Sequence, residues 1–404
     1  EPLLTPRPGL KICEFDPDRG VEAFTVAIHD RISKEGKDAF YVFDSLSSLQ
    51  SVWYTDLMMG NFFRVTCPYL FQLDTVAYFP LLRGRHSFDA VARIRDTTQL
   101  LLDVYHGDRR MYLHPLKVWN RYSTRMFLPH SCRLPASEQC DFRTVDGGVA
   151  MSRYYQLVEE EEEKNQDQNY DSHDRFFALA KMDYQRGEFS TETEKQIIES
   201  TLTRDRRLQE MIRRYFRPRD YFHLRDRMIG SGSLGGKACG MLLARKIIHT
   251  ELPQYRAYFE PHDSYYIDVF YTYIVSNNCW ATRIAQRSDE GYFAKADALR
   301  EALLTGSFPP DIREKFRSML EYFGQSPIIV RSSSFLEDGF GNAFAGKYES
   351  VFCVNQGTPE ERLEDFEEAV RRVYASTMDI SALEYRKQRG LQHSDEQMAV
   401  LVQR

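Results

Sequence analysis

Residues 327–349 read PIIVRSSSFLEDGFGNAFAGKYE, and this stretch decides the fold prediction for the C-terminal part of the chain. The apolar residues 328–330 predict a buried strand that presents Arg331 at its end, followed by Ser332. Arginine pairs with phosphate oxygens through two parallel hydrogen bonds, and small residues let backbone N–H groups approach an anion closely. The stretch therefore predicts a phosphate site. The alternative is a surface arginine beside an ordinary flexible hairpin.

A second glycine-rich segment lies upstream, where residues 229–248 read IGSGSLGGKACGMLLARKII. Apolar residues recur at helical spacing after Ala238, so Gly235 and Gly236 are expected where a helix begins. A helix N-terminus presents free N–H groups and a partial positive charge, to which Lys237 adds a cation. The segment is not a Walker A motif, because Ser231 replaces its first glycine. Taken alone, the segment equally fits an ordinary helix start with a solvated lysine.

Together the two segments resemble the nucleotide-binding domain of pyruvate phosphate dikinase, phosphoenolpyruvate synthase, glucan water dikinase and rifampin phosphotransferase, which has an ATP-grasp fold. The resemblance covers roughly residues 226–404. The motifs that carry it are, in order along the chain, Gly235-Gly236-Lys237, Val330-Arg331-Ser332-Ser333, Glu337-Asp338, and Ala343-Phe344-Ala345-Gly346.

At the positions that match these motifs, the resemblance implies the residues of an ATP site. Lys237 and Arg331 are expected to bind the phosphates and to act in catalysis. Two positions depart from the family, because Ala343 stands where serine is usual and Lys347 where glutamine is common. Lys347 is expected either beside the phosphates or in solvent. The full set implied to bind ATP is Gly235, Gly236, Lys237, Arg331, Ser332, the covering loop Ala343, Phe344, Ala345 and Gly346, and Gln403 near the adenine.

The family's reaction defines the expected function. Its ATP-grasp domain passes a phosphoryl group from ATP to a histidine on a separate domain, and the group then moves to pyruvate or another acceptor. The resemblance thus implies a kinase that uses ATP and Mg²⁺, with the Mg²⁺ ligands expected beyond Arg404 and the phosphohistidine domain elsewhere in a longer protein. No glycine-rich histidine motif occurs in the sequence, so this chain alone is expected to be inactive. The alternative is a non-catalytic module that senses nucleotide or regulates a partner.

Composition and charge exclude several other classes of protein. The chain has 404 residues, of which 42% are hydrophobic, so two or three globular domains are expected. A net charge of −6 does not favour a nucleic-acid partner. No membrane span, signal peptide or metal-binding pair at helical spacing is visible. Seven cysteines in such a chain predict reduced thiols and a cytoplasmic protein.

Residues 1–133 alternate between strand-like and helix-like segments. Strands are expected at residues 10–15, 76–82, 100–105 and 111–118, and a helix at residues 21–34. Such alternation favours a parallel or mixed sheet covered by helices. The segment FYVFDSLS at residues 40–47 is similar to a conserved strand of RecA-like ATPases, although no P-loop precedes it. Asp44 in this segment is either a Mg²⁺ ligand or the N-cap of a helix.

The expected fold is therefore α/β, becoming α+β in the C-terminal half: a RecA- or Rossmann-like domain without a P-loop, followed by an ATP-grasp domain. Residues 134–190, with five consecutive glutamates, predict an acidic linker or excursion. Residues 191–225 predict a connecting helix that starts at a capping box of Thr191 and Glu194 and stops at Pro218. Residues 226–404 are expected to form an ATP-grasp domain that is incomplete at its C-terminus.

Overall fold

The computed structural model describes residues 8–107, 109–133, 141–230, 232–260, 263–337, 344 and 346–404. The chain divides into two compact units. The main unit comprises Glu1–Ala39, Val52–Tyr54 and Ala180–Arg404, and the inserted unit comprises Phe40–Ser51 and Thr55–Leu179. The combination of helices and several sheets confirms the predicted α/β class.

The regular elements of the described residues are numbered in chain order. The helices are α1 (Val21–Glu35), α2 (Leu46–Trp53), α3 (Asp56–Gln72), α4 (Phe88–Thr97), α5 (Gly148–Glu162), α6 (Ser172–Arg186), α7 (Thr191–Ile197), α8 (Arg206–Tyr215), α9 (Pro218–Arg225), α10 (Gly236–Glu251), α11 (Phe270–Ser276), α12 (Trp280–Arg287), α13 (Gly291–Ala294), α14 (Ala296–Thr305), α15 (Pro310–Phe323), α16 (Pro359–Ala375) and α17 (Ile380–Gln388). The strands are β1 (Tyr41–Val42), β2 (Ala77–Tyr78), β3 (Leu100–Gly107), β4 (Arg110–Val118), β5 (His130–Arg133), β6 (Arg143–Thr144), β7 (Met228–Gly230), β8 (Ser264–Asp268), β9 (Ile328–Ser334), β10 (Ser350–Cys353) and β11 (Met398–Gln403).

The inserted unit contains two sheets among its described residues. Strands β1 and β2 pair in parallel, and β3, β4, β5 and β6 form an antiparallel sheet in that order. The connection between β3 and β4 is too short for the helical crossover that parallel pairing requires. The RecA- or Rossmann-like arrangement predicted for residues 1–133 is therefore not confirmed. The acidic excursion predicted at residues 134–190 contains α5 and α6, and Tyr154 of α5 packs against Tyr105 and Tyr112 of the sheet.

A buried carboxylate, Asp56 at the start of α3, links several elements of the inserted unit. Its oxygens accept hydrogen bonds from His86 Nδ1 at 2.8 Å, Ser87 N at 3.1 Å and Ser172 N at 3.0 Å. His86 Nε2 lies 2.7 Å from the hydroxyl of Ser47 in α2. Hydrolase triads share this Ser–His–Asp order, but the His86 residue is only 1% exposed, which favours a structural role.

The main unit is built on a five-stranded sheet with the order β10-β9-β11-β8-β7. Strands β7 and β8 are parallel, and the other neighbouring pairs are antiparallel. Strand β11 is central, and its first five residues are buried. The register pairs Arg331 of β9 with Leu401 of β11, so the strands that carry Arg331 and Gln403 are direct neighbours. The detailed ATP-grasp arrangement stays a prediction.

The N-terminal helix α1 belongs to the main unit, whereas the sequence grouped residues 1–133 together. Glu22 of α1 is fully buried and pairs with Arg283 at 2.9 Å and Arg287 at 2.9 Å, both on α12. A buried carboxylate needs such partners, since an unpaired charge in the interior is strongly destabilising. This ion-pair network explains why the contacts group α1 with residues far along the sequence.

Three local predictions differ from the structure at element boundaries. Residues 10–15 form no strand, whereas the helix predicted at residues 21–34 is confirmed as α1. The N-cap of α7 is Ser190 instead of Thr191, because the Ser190 hydroxyl accepts the Thr193 N–H. Pro218 begins α9 instead of only ending the preceding helix, since proline fits the first helical position.

The cysteines also correct one expectation. Cys132 is disulfide-bonded, so the prediction that all seven cysteines are reduced thiols is wrong. The free cysteines among the described residues are Cys13, Cys67, Cys239, Cys279 and Cys353. Burial raises the pKa of the Cys239 thiol, on α10, to about 12, so this thiol stays protonated.

Candidate nucleotide site

Helix α10 begins where the sequence predicts it, at the Gly235-Gly236-Lys237 motif. Gly235 is the N-cap residue and has a φ of 77°, a backbone conformation that favours glycine. A Cβ atom on Gly235 would lie 1.5 Å from the Ser333 carbonyl oxygen, and one on Gly236 would lie 1.7 Å from the Glu337 carbonyl oxygen. The two glycines therefore allow the helix start to lie directly against β9 and the turn that follows it.

Lys237 extends from the first turn of α10 to the end of β9. Its Nζ donates hydrogen bonds to Ser332 Oγ at 2.9 Å and to Glu337 Oε1 at 2.8 Å. The Lys237 side chain is 22% exposed, whereas Glu337 is only 2% exposed. The structure thus brings together the two motifs that the sequence places in separate segments, and it holds the lysine amine in a partly buried ion pair.

Glu337 organises the turn after β9 as well as the amine. Its Oε1 accepts the Ser332 hydroxyl at 2.9 Å, and its Oε2 accepts the Ser334 N–H at 2.8 Å. Each carboxylate oxygen therefore has a donor, which satisfies the buried charge. The sequence analysis identified Glu337 as part of a motif but not as a site residue. The sequence signal for such a role was the position of Glu337 just after the strand that carries Ser332.

Ser333 ties the glycine segment to β9 through two further hydrogen bonds. Its hydroxyl donates to the Leu234 carbonyl at 2.7 Å and accepts the Ala238 N–H at 3.0 Å. Ala238 lies in the first turn of α10, so this hydroxyl satisfies one of the N–H groups that lack a helical partner. Nothing in the sequence distinguishes Ser333 from its neighbouring serines, because the difference lies in which face of the strand each one occupies.

Arg331 lies within β9, not at its end, since the strand continues to Ser334. Its guanidinium donates to Gln403 Oε1 at 3.1 Å, and Gln403 Nε2 lies 3.4 Å from the Met241 sulfur of α10. Arg331 directly precedes Ser332, which receives the Lys237 amine. Arg331 thus contacts Gln403 of the neighbouring strand, and Lys237 contacts Ser332, the residue that follows Arg331 in β9.

Of the loop expected to cover the phosphates, Ala343 and Ala345 lie outside the described residues, as does Asp338 of the preceding Glu-Asp motif. Phe344 is buried, with its ring centroid 5.3 Å from that of Tyr348 and 4.7 Å from that of Tyr385. Gly346 is exposed and has a φ of 68°. Lys347 Nζ lies 5.6 Å from the centroid of the Tyr385 ring, within the range of a cation–π contact.

The described acidic side chains at the site do not fit a metal ion. Among the residues that the structure describes, no three His, Cys, Asp or Glu side chains group together as ligands. Both oxygens of Glu337 already accept hydrogen bonds.

None of the described helices combines the length and apolarity needed to cross a bilayer.

A lysine in the first turn of a helix and an arginine on the adjoining strand are residue types that suit phosphate-bearing ligands. Residues 231–404 match the family described as pyruvate phosphate dikinase, AMP/ATP-binding domain. The match confirms the resemblance predicted from the two motif segments, and it supports a nucleotide-binding module of the dikinase family in this part of the chain. No curated protein matches the chain.

Proposed function

We propose that residues 231–404 bind ATP as the nucleotide-binding part of a dikinase-like phosphotransferase. The supporting observation is the contact of Lys237 with Ser332, the residue next to Arg331. Arg331 within β9 and Lys237, which contacts the next residue of that strand, supply the two positive charges that a polyphosphate requires. Gly235 and Gly236 lie at the positively polarised start of α10 and are proposed to complete the phosphate site, and Gln403 is the proposed contact to the adenine.

Phosphoryl transfer depends mainly on positioning and on neutralising charge in the transition state. In the proposed reaction, Lys237 and Arg331 hold the phosphates while the phosphoryl group leaves ATP for a histidine nitrogen on a separate domain. The group then passes to pyruvate or another acceptor. Ser332 holds the Lys237 amine in place, and the loop of residues 343–346 covers the phosphates.

The proposal includes a Mg²⁺ ion, a phosphohistidine domain and a cytoplasmic location. The ion and the phosphohistidine domain come from the family resemblance, whereas the location was expected from the cysteine content, of which Cys132 is disulfide-bonded. No described carboxylate is proposed as a ligand of that ion, since both oxygens of Glu337 already accept hydrogen bonds. The ATP-grasp fold itself is also proposed from the family resemblance.

One observation favours a second candidate function, a module that senses nucleotide without catalysis. The Lys237 amine is already paired with the buried carboxylate of Glu337 at 2.8 Å. A lysine held in this way must share its charge between Glu337 and any phosphate. Binding would then be weak and reversible, which suits a sensor.

Labelled ATP distinguishes the two functions. The full-length protein is incubated with ATP labelled at the β or the γ position, with Mg²⁺, and protein-bound label is measured before and after acid treatment. Acid-labile label from the β position alone supports the dikinase. Saturable ATP binding without any label on the protein supports the sensor, and the absence of both binding and label contradicts both proposals.

A further inference from the structure

The glycine segment before α10 wraps around a buried carboxyl that the sequence analysis did not single out. Asp268, the last residue of β8, is 6% exposed. Its Oδ2 accepts the Ser233 N–H at 2.9 Å and also a hydrogen bond from the Gln397 side-chain amide. Ser233 is two residues before Gly235, so the carboxyl holds the segment that leads into the helix start.

The fit between this carboxyl and the glycine segment is close. A Cβ atom on Gly232 would lie 1.5 Å from Asp268 Oδ2, and one on Gly230 would lie 2.1 Å from the Asp268 carbonyl oxygen. Side chains at these two positions would displace either the segment or the end of β8. The glycines are thus required by Asp268, in addition to any need for a phosphate to approach the backbone.

The contacts continue from Asp268 to the lysine of the proposed site. The Ser233 hydroxyl accepts the Gly235 N–H at 3.1 Å, and the Leu234 carbonyl accepts the Ser333 hydroxyl at 2.7 Å. Gly235 is the N-cap of α10, whose second residue is Lys237. Fixing Ser233 therefore fixes the direction in which α10 begins and the position from which Lys237 extends.

We infer that Asp268 is a positioning residue for the nucleotide site: its carboxyl holds residues 232–235 in the shape that places Lys237 beside Ser332. The inference rests on the proposed function. It adds a residue that contacts neither the phosphates nor the adenine. An oxygen acceptor of this size is the requirement, so asparagine can replace the aspartate, whereas leucine cannot.

The environment of the carboxyl gives a second consequence. Burial raises the pKa of Asp268 to about 6, and the hydrogen bonds from Gln397 and Ser233 offset only part of this effect. Two titratable groups on neighbouring segments interact with Asp268: burial first, and the Asp268 charge among further causes, raises the pKa of Asp395, before β11, and of Tyr374, on α16. A polyphosphate bound at the same glycine segment brings further negative charge, which raises the pKa of the carboxyl again. ATP binding near pH 6.5 is therefore coupled to proton uptake by Asp268.

Hydrogen exchange tests the positioning role without a nucleotide. Exchange of the backbone amides in residues 229–242 is compared between the wild-type chain, Asp268→Asn and Asp268→Leu, with the melting temperature of each recorded. We expect protection to persist in Asp268→Asn and to fall at least tenfold in Asp268→Leu. Equal protection in the wild type and Asp268→Leu overturns the inference, whether or not ATP binds.

Proton linkage tests the connection to the nucleotide. Binding enthalpies of ATP at pH 6.5 in two buffers of different ionisation enthalpy give the protons taken up by the wild type and by Asp268→Asn. ATP's own ionisation is common to both chains and cancels. We expect greater proton uptake in the wild type than in Asp268→Asn. Equal uptake overturns the coupling of ATP binding to the Asp268 carboxyl. This comparison does not need Asp268→Leu, so it can be made even if that variant does not fold. If ATP binds neither chain while the exchange result holds, the proposed function fails and the structural role of Asp268 stands.

Discussion

The inserted unit and the main unit each bury an aspartate, and the two carboxyls respond to burial in opposite ways. For Asp56, burial acts to raise the pKa, but hydrogen bonds from His86 and Ser87 and the charges of His86 and Arg175 outweigh it, so the pKa is lowered. For Asp268, burial prevails and the pKa rises to about 6. The number and charge of the donors explain the difference.

This difference indicates separate roles for the two carboxyls. Asp56 is ionised at neutral pH and joins α2, α4 and α6 through their side chains and N–H groups. Asp268 accepts two uncharged donors and lies under a glycine segment at the proposed site. A fully compensated carboxylate suits a structural anchor, whereas an incompletely compensated one remains sensitive to a nearby anion.

The largest effect is expected from Asp56→Ala. The substitution leaves His86, Arg175 and two buried N–H groups without their acceptor, so we expect a loss of about 3–5 kcal/mol in the free energy of unfolding. Urea unfolding, followed by hydrogen exchange in residues 55–107, measures it. Asp96→Ala is the matched control, since Asp96 is exposed on α4. If both variants lose similar stability, Asp56 is not an anchor.

The next effect concerns how stability depends on pH. The folded-state pKa of Asp268 lies above 3.8, so the folded chain retains a proton that the unfolded chain releases, and stability falls as pH rises from about 4 to 6. Asp268→Asn removes this contribution, which we expect to be about 1–3 kcal/mol. Urea unfolding at several pH values, for both chains, gives the two slopes. Identical slopes would mean that the carboxyl titrates normally.

Glu337→Gln tests a third buried carboxylate, which lies at the proposed site itself. The amide oxygen of glutamine can still accept the Ser334 N–H, and its NH2 group can donate to the Ser332 hydroxyl, but the negative charge beside Lys237 is lost. We expect a stability loss of about 1–2 kcal/mol and a gain of about the same size in ATP affinity, because the lysine charge becomes available to the phosphates. Calorimetric titration with ATP measures the second effect. Weaker ATP binding in this variant would show that Glu337 contacts the nucleotide favourably.

A smaller effect is expected at a helix cap that serves as a reference within the main unit. Thr358 and Glu361 form a capping box at the start of α16, and Pro359 occupies the first turn. Thr358→Ala should lower stability by about 1 kcal/mol and leave ATP affinity unchanged. Thermal unfolding and the same titration check both results. A change in ATP affinity would indicate that any loss of stability in this unit affects the site.

Local chemistry in the sequence predicted the elements around the proposed site better than it predicted the fold of the N-terminal part. The start of α10, the strand β9 and the capping box at Thr358 follow from short motifs whose physics is local. The antiparallel pairing of β3 with β4 and the docking of α1 in the main unit depend on distant contacts, such as Glu22 with Arg283. No periodicity in the sequence reveals which partner a buried charge will find.

The same distinction applies within the site. Lys237 and Arg331 were predicted because their residue types suit phosphate, and the structure places the Lys237 amine on Ser332, the residue that follows Arg331. Asp268 was missed, because a single aspartate after an apolar strand resembles many strand ends. Its role appears only when the Gly232 backbone is found against its side chain.

Lys237 and Arg331 are proposed to serve one nucleotide site. Calorimetric titration of residues 1–404 with ATP, compared with Lys237→Ala, Arg331→Ala and the control Lys246→Ala on the same helix, tests it directly. We predict that each of the first two variants loses about 1.5–3 kcal/mol of binding free energy and that Lys246→Ala binds like the wild type. Unchanged ATP affinity in both Lys237→Ala and Arg331→Ala would contradict the claim.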